Sequence, residues 1–397
     1  MTTKLLHEEI QQAADALRVA LRGLIEEAGC NPLKPQAVHR HIGVDRVLCW
    51  KVSRLIRAER VDEALLQLPG EEALSIFIAA FERTTASATQ IDRARTAAHA
   101  LNQAIADHVG DRRTLHLMLD SVPGGQDALG QSRKLLFRGA SGLWGIQARE
   151  RVHVLMLAPN AKNPELVDSL IVAGWVDVKR MRPDARWRML KFGTTADTKQ
   201  APVVEAVSRQ AEGAMQMGKS VLLPEFCEDM PPLNMQEETD GYTYFEIGAS
   251  ATGRVGAFSV FLGAIQRGSG SRYANEKDSN AEFGVNVLAP TEHMTFDVFV
   301  HRDLRFHENA ELGFFSAAFN QGTHFSDFNR MPIEPEAVEL EGEARLENRH
   351  YPRQRELLDF VFKRTGWKLE DFAAMRYDVD YPPFPSVAIF SAPLEQR

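Results

Sequence analysis

The chain has 397 residues, is 44% hydrophobic and 25% charged, and carries a formal net charge of −8. That length suits two or three domains of about 100–200 residues each, and the composition is ordinary for a globular fold. No apolar run approaches the roughly 20 residues a membrane helix needs. Global acidity argues against a protein coated in nucleic acid, although it leaves room for one basic module. The three cysteines, Cys30, Cys49 and Cys227, are too few and too scattered for a zinc signature or a disulfide framework. The first residues lack the apolar core of a secretory signal. A cytoplasmic location, no membrane partner and no cofactor are therefore expected.

In chain order, residues 5–29 form one amphipathic helical pattern, with Leu5, Ile10, Ala14, Leu17, Ala20, Leu21, Leu24 and Ile25 on one face. Gly29 and Asn31-Pro32 end it. Two short helices follow, joined by a tight turn at Gly43-Val44-Asp45. Pro35 suits a first helical turn, where its missing N–H costs nothing. Gly43 can adopt the left-handed conformation that stops a helix, and Asp45 can cap the next one.

The second of these helices separates into two faces. Val44, Leu48, Val52, Leu55 and Ile56 recur at packing spacing. Arg46, Trp50, Ser53, Arg54 and Arg57 are placed on the opposite face by their spacing. Between Asn31 and Arg60 there are seven Lys/Arg and two acids, a local net charge of +5 in an acidic chain. Such a patch is the electrostatic footprint of a small DNA-reading module. Gln36 to Leu55, with Ile42-Gly43-Val44 at the turn and Leu48 and Val52 beyond it, resembles the helix–turn–helix of bacterial transcriptional regulators. Where that pattern has a small residue four before the glycine, this chain has His39. The resemblance implies that the second helix enters the major groove. Arg46, Trp50, Ser53, Arg54 and Arg57 would then face DNA, with Arg40 and Lys51 on phosphates. The alternative for the same residues is a helical hairpin with a solvated arginine face.

Beyond it, Val61–Leu66 reads as a short helix closed by Pro69-Gly70. Residues 72–120 read as two helices, broken near Thr84–Thr89 or at Gly110-Asp111. Pro123-Gly124-Gly125 marks a turn or linker. The chain then becomes strand-like at residues 152–157, 175–179, 187–192, 220–223, 242–247, 257–265, 283–288 and 295–300. Residues 202–217 read as a helix, residues 268–272 as a polar loop and residues 334–347 as an acidic connector. Residues 353–365 read as a helix, 371–375 as a shorter helical piece, and 376–381 and 386–392 as final strands.

Chemical motifs are sparse. His301-Arg-Asp-Leu304 matches a kinase catalytic-loop tetrapeptide, but the metal-binding Asn is displaced by Glu308 and no Gly-rich loop precedes it. His301 and Asp303, with a later His324 or His350, could form the facial triad of a non-haem iron enzyme. Gly248, Gly253 and Gly256 are not a dinucleotide fingerprint. Cys227, among Glu225, Glu228 and Asp229, is in poor surroundings for a nucleophile. Phe296, Phe299, Phe306, Phe314, Phe315, Phe319, Phe325 and Phe328 read as core, or as the lining of a pocket for a small effector. The glycine-rich stretch Arg138–Gly145 reads as a packing turn or a hinge.

The expected fold class is α+β: an all-helical N-terminal domain, 1–120, with the helix–turn–helix at 35–58, followed by a larger β-rich mixed α/β region, 121–397, with a possible subdomain break near 194–202. The expected function is DNA-binding transcriptional regulation, with double-stranded DNA as partner, a homodimer spanning two half-sites, and a small-molecule effector on the C-terminal region. The competing readings are a metal-dependent enzyme on the β-rich region and a non-catalytic protein-interaction module.

Overall fold

A computed structural model describes residues 8–120, 126–192, 203–209, 221–237, 243–276, 278–317, 329–342 and 346–397. The chain is α+β and divides into two compact units, Met1–Leu129 and Gly130–Arg397. No helix among the described residues is long and apolar enough to cross a membrane. The expected glycine linker at 123–125 lies outside the described residues.

The first unit is helical. Helix α1 (Glu8–Glu27) buries Ile10, Ala14, Leu17, Ala20, Leu21, Leu24 and Ile25, the stripe its sequence period marks. The short helices α2 (Pro35–Ile42), α3 (Arg46–Arg57) and α4 (Val61–Leu66) follow. The segment expected to hold two helices holds three, α5 (Glu71–Ala79), α6 (Ala88–His108) and α7 (Arg112–Asp120). Both candidate breaks are used. Ser87 caps α6 by accepting from Gln90 N, and Gly110 takes φ 97° before α7. One apolar core links all seven helices except where polar faces meet water.

Helix α8 (Gln126–Trp144) was not expected, and it absorbs most of the glycine-rich stretch read as a turn. Gly139 and Gly142 each cost about 1 kcal/mol relative to alanine in a helix. Packing outweighs this: Phe137 and Ala140 are buried, and the Phe137 ring lies 5.4 Å from that of Tyr381. The helix stops at Gly145, whose φ is 70°.

The second unit is built on a mixed seven-stranded sheet in the order β11-β12-β9-β1-β2-β7-β4. Its strands are β1 (Ile146–Pro159), β2 (Leu166–Arg180), β4 (Val203–Ala206), β7 (Phe258–Ser271), β9 (Thr291–His301), β11 (Ala337–Glu339) and β12 (Phe372–Asp380). Only the β1–β9 pair is parallel. One face packs against a three-stranded sheet of β8 (Asn280–Val287), β10 (Glu311–Ser316) and β13 (Ser386–Pro393) through residues such as Phe296, Val298, Phe314 and Phe390. Against the other face lies α9 (Gln354–Thr365), by Leu357, Leu358, Val361 and Phe362. A further three-stranded sheet joins β3 (Trp187–Phe192), β5 (Leu233–Glu237) and β6 (Thr243–Ile247).

Several local expectations fail here because strand pairing overrides a weaker local signal, as where Ala337–Glu339 of the expected acidic connector pair with β12. Residues 203–206, expected to be helical, form β4 at the sheet edge on β7, while residues 210–217 lie outside the described residues. Residues 372–375, rich in Ala and Met, belong to β12, held on β9 in a register that sets Phe372 against His301. The polar residues 268–271 extend β7 past a bulge. There Gly268, at φ 65°, donates its N–H to Asp168 Oδ1 at 2.9 Å.

Candidate functional site

The α2–turn–α3 element is built as its residues dictate. Gly43 adopts φ 70°, ψ 18°, and its N–H closes on His39 O at 2.9 Å. A Cβ at Gly43 would meet no heavy atom within 4 Å, so the requirement for glycine is conformational rather than steric. Asp45 caps α3 by accepting from Val47 N at 2.9 Å and Leu48 N at 3.0 Å. His39 has a use of its own: its Nδ1 donates to Val44 O at 2.6 Å, fastening α2 to the turn. At the far end of α3, Arg18 of α1 donates to the carbonyls of Leu55, Ile56 and Ala58, and Arg22 donates to Ile56 O. These arginines satisfy carbonyls that the end of a helix leaves without intrahelical partners and place positive charge at its negative pole. Helix α1 therefore fixes α3 as well as burying its own stripe.

The exposed face of α3 consists of Arg46, Val47, Trp50, Lys51, Arg54 and Arg57. Val47 is 62% exposed and Trp50 41%. Ser53, expected on this face, is only 5% exposed and belongs to the packed side with Cys49, Val52, Leu55 and Ile56. At 100° per residue the open arc is rotated by about 40° toward Val47 and Lys51 relative to the sequence-based face. Ser53 sits just inside the buried edge. Its smallness lets it pack where an arginine could not.

Arg40 on α2 is also exposed. Among the described residues, none of Arg40, Arg46, Lys51, Arg54 and Arg57 forms an ion pair or a side-chain hydrogen bond. Arg60, by contrast, is neutralised by Asp62. The result is one face of α3 bearing cations unpaired among the described residues around an accessible indole, and one further such cation, Arg40, on α2.

The candidate metal triad does not assemble. His301 lies at the end of β9, its Nδ1 3.6 Å from Asp303 Oδ2 and accepting from Asp303 N. His350 stacks on His293 with ring centroids 4.0 Å apart. His293 and His301 are eight residues apart on one strand, about 26 Å at strand rise. His350 and His301 are thus at opposite ends of β9. No group of three His, Cys, Asp or Glu suited to a metal occurs among the described residues; His324 lies outside them. The phenylalanines 296, 299, 306 and 314 are buried core and Phe315 is half-buried, whereas 319, 325 and 328 lie outside the described residues.

The β-rich unit holds a polar constellation that no motif announced. On the α9 side of the sheet, β9 carries His293, Thr295 and Asp297 before turning apolar at Phe299. The buried Thr295 Oγ1 lies 2.8 Å from Glu150 Oε1 and 3.0 Å from Asp378 Oδ1, and accepts from Asn348 Nδ2 at 3.0 Å. A hydroxyl has one proton to donate, so it serves one carboxylate, and the other carboxyl must bring its own proton. Burial pushes Glu150 up to about 8, with the Asp378 charge adding to the rise, so Glu150 is the protonated partner. Next along the strand, Asp297 is clamped by Arg376 at 2.6 and 2.8 Å and accepts from Gln354 Nε2 at 2.6 Å, which ties α9 to the sheet. Glu150, Thr295 and Asp378 are far apart in sequence, and only the register of β1, β9 and β12 unites them.

No family model and no curated protein matches the chain. Among solved structures, a candidate protease from Parabacteroides distasonis overlaps it with a TM-score of 0.26 at 7% identity, over 63% of this chain and 40% of that one. The chain thus spans less than half the length of that protein, and so loose an overlap carries no argument about fold or activity.

Proposed function

We propose that the N-terminal unit reads double-stranded DNA by laying α3 in the major groove, and that the protein is a transcriptional regulator acting as a homodimer over two half-sites. The observation that supports this most is the set of exposed cations with no partner among the described residues: Arg46, Lys51, Arg54 and Arg57 on α3, and Arg40 on α2. An arginine with no internal partner is free to pair bidentately with guanine or phosphate. Trp50 and Val47 offer apolar surface between the cations, suited to thymine methyl groups. A single short helix makes few contacts, which is the reason to expect two copies about 34 Å apart on the duplex. The β-rich unit is assigned the effector-sensing or self-association role.

The test is fluorescence anisotropy of the full chain on duplex DNA across a salt series, beside an Arg54→Ala/Arg57→Ala variant. If all five cations neutralise phosphates, the log–log salt slope is about −4.5 per protomer, and removing two flattens it by about 1.8. Binding indifferent to salt, or equal in the two proteins, defeats the proposal.

A further inference from the structure

The opposite face of β1 from Glu150 presents Arg151 and His153, both 3% exposed. The Arg151 guanidinium lies over the Trp175 ring, its Cζ 3.7 Å from the centroid, and its Nη1 donates to Gly174 O at 3.2 Å. Among the described residues its buried Nε has no acceptor, and neither Trp175 Nε1 nor His153 Nδ1 has a hydrogen-bond partner. Nη2 likewise has no acceptor among the described residues. Burial lowers Arg151 only to about 9, and no carboxylate contributes to its electrostatics. The guanidinium is still a cation at neutral pH. Glu150, its neighbour in sequence, points away to the other face.

A buried, uncompensated cation is among the costliest features a core can hold. Water can fill an orphaned N–H, but water brings no opposite charge. The Nη1 edge of Arg151 is committed to the backbone, which leaves Nε and Nη2, a planar two-donor fork that matches a carboxylate. Trp175 stands opposite Arg151 in the β1–β2 register, and His153 is two residues along the same strand face. The surrounding surface is apolar, with Met294 and Phe296 on β9. Such a setting selects a small ligand with one anionic head over a polyanion.

We propose that the free edge of Arg151, flanked by Trp175 and His153, binds the carboxylate of a small organic acid within the core of the β-rich unit. Naming that acid an effector rests on the regulatory reading above. The binding itself does not, because the site lies wholly in Gly130–Arg397 and is read out without DNA.

The experiment is an acetate titration of the ¹⁵N-labelled full chain, following the indole N–H resonances, with Trp175→Phe used to assign the Trp175 signal. Sodium chloride at matched ionic strength is the control. The expected result is a saturable shift of the Trp175 signal with acetate that chloride does not reproduce. In Arg151→Lys, which keeps the charge and loses the fork, apparent affinity falls at least tenfold. Arg151→Met, which removes the buried charge altogether, remains folded by circular dichroism and shows no saturable shift. No saturable shift in the unmodified protein, an equal response to chloride, or an unchanged affinity in Arg151→Lys overturns the proposal. If the acetate site is found while DNA binding is absent, the ligand site stands and the regulatory reading falls.

Discussion

Glu150 offers the sharpest test of the structural reasoning. Its carboxyl is fully buried and titrates at about 8, against 4.5 for the free side chain, with burial as the main cause. Between those values the folded protein holds a proton that the unfolded chain has released. Folding therefore takes up a proton, and stability falls as pH rises through that window. At about 1.36 kcal/mol per unit, the whole interval is on the order of 5 kcal/mol. Between about pH 6 and pH 8 the Glu150 share is about 2 kcal/mol, because titration in the folded state levels the curve near 8. Glu150→Gln keeps the shape and removes the ionisation. Urea unfolding followed by tryptophan emission suits the assay, since Trp144, Trp175, Trp187 and Trp367 lie in the β-rich unit and only Trp50 lies outside it. His153, held neutral well below 6.5 by burial, acts in the opposite sense, gaining stability as pH rises. It is common to both proteins and cancels in the comparison. The original protein should lose about 2 kcal/mol more than the variant over this range. Equal losses would mean that Glu150 is ionised in the fold and that the proton count around Thr295 is wrong.

Further outcomes follow from single contacts. Asp45→Ala removes the acceptor for Val47 N and Leu48 N and should cost about 1 kcal/mol of N-terminal-unit stability, read by thermal unfolding. Arg18→Ala strips the end of α3 of its charged donor and should cost about 1.5–3 kcal/mol, with faster amide exchange at Leu55 to Ala58 than elsewhere in the unit. Gly174→Ala would place a Cβ 2.1 Å from the buried Phe261 ring, so about 1–3 kcal/mol of overpacking is expected in the β-rich unit by urea unfolding. A neutral result there would mean that Phe261 has room to swing aside.

What the sequence determines by itself is what neighbouring residues decide among themselves. The bounds of α2 and α3 follow from Pro35, Gly43 and Asp45, whose backbone preferences act over a few residues. The helical stripe of α1 follows from apolar spacing, as do strands such as Trp187–Phe192. Tertiary structure decides whatever depends on a distant partner. It makes α8 a helix despite three glycines, and β4 and the start of β12 strands despite helical composition, because packing and pairing outweigh propensity. It rotates the open face of α3 so that Ser53 is buried and Val47 exposed. It holds His350, stacked on His293, at the opposite end of β9 from His301. It also brings Glu150, Thr295 and Asp378 within hydrogen-bond reach, and leaves Arg151, on the other face of the same strand, without a counter-charge among the described residues. Strand register converts remote positions into neighbours, and no local pattern encodes which remote position will be across the sheet.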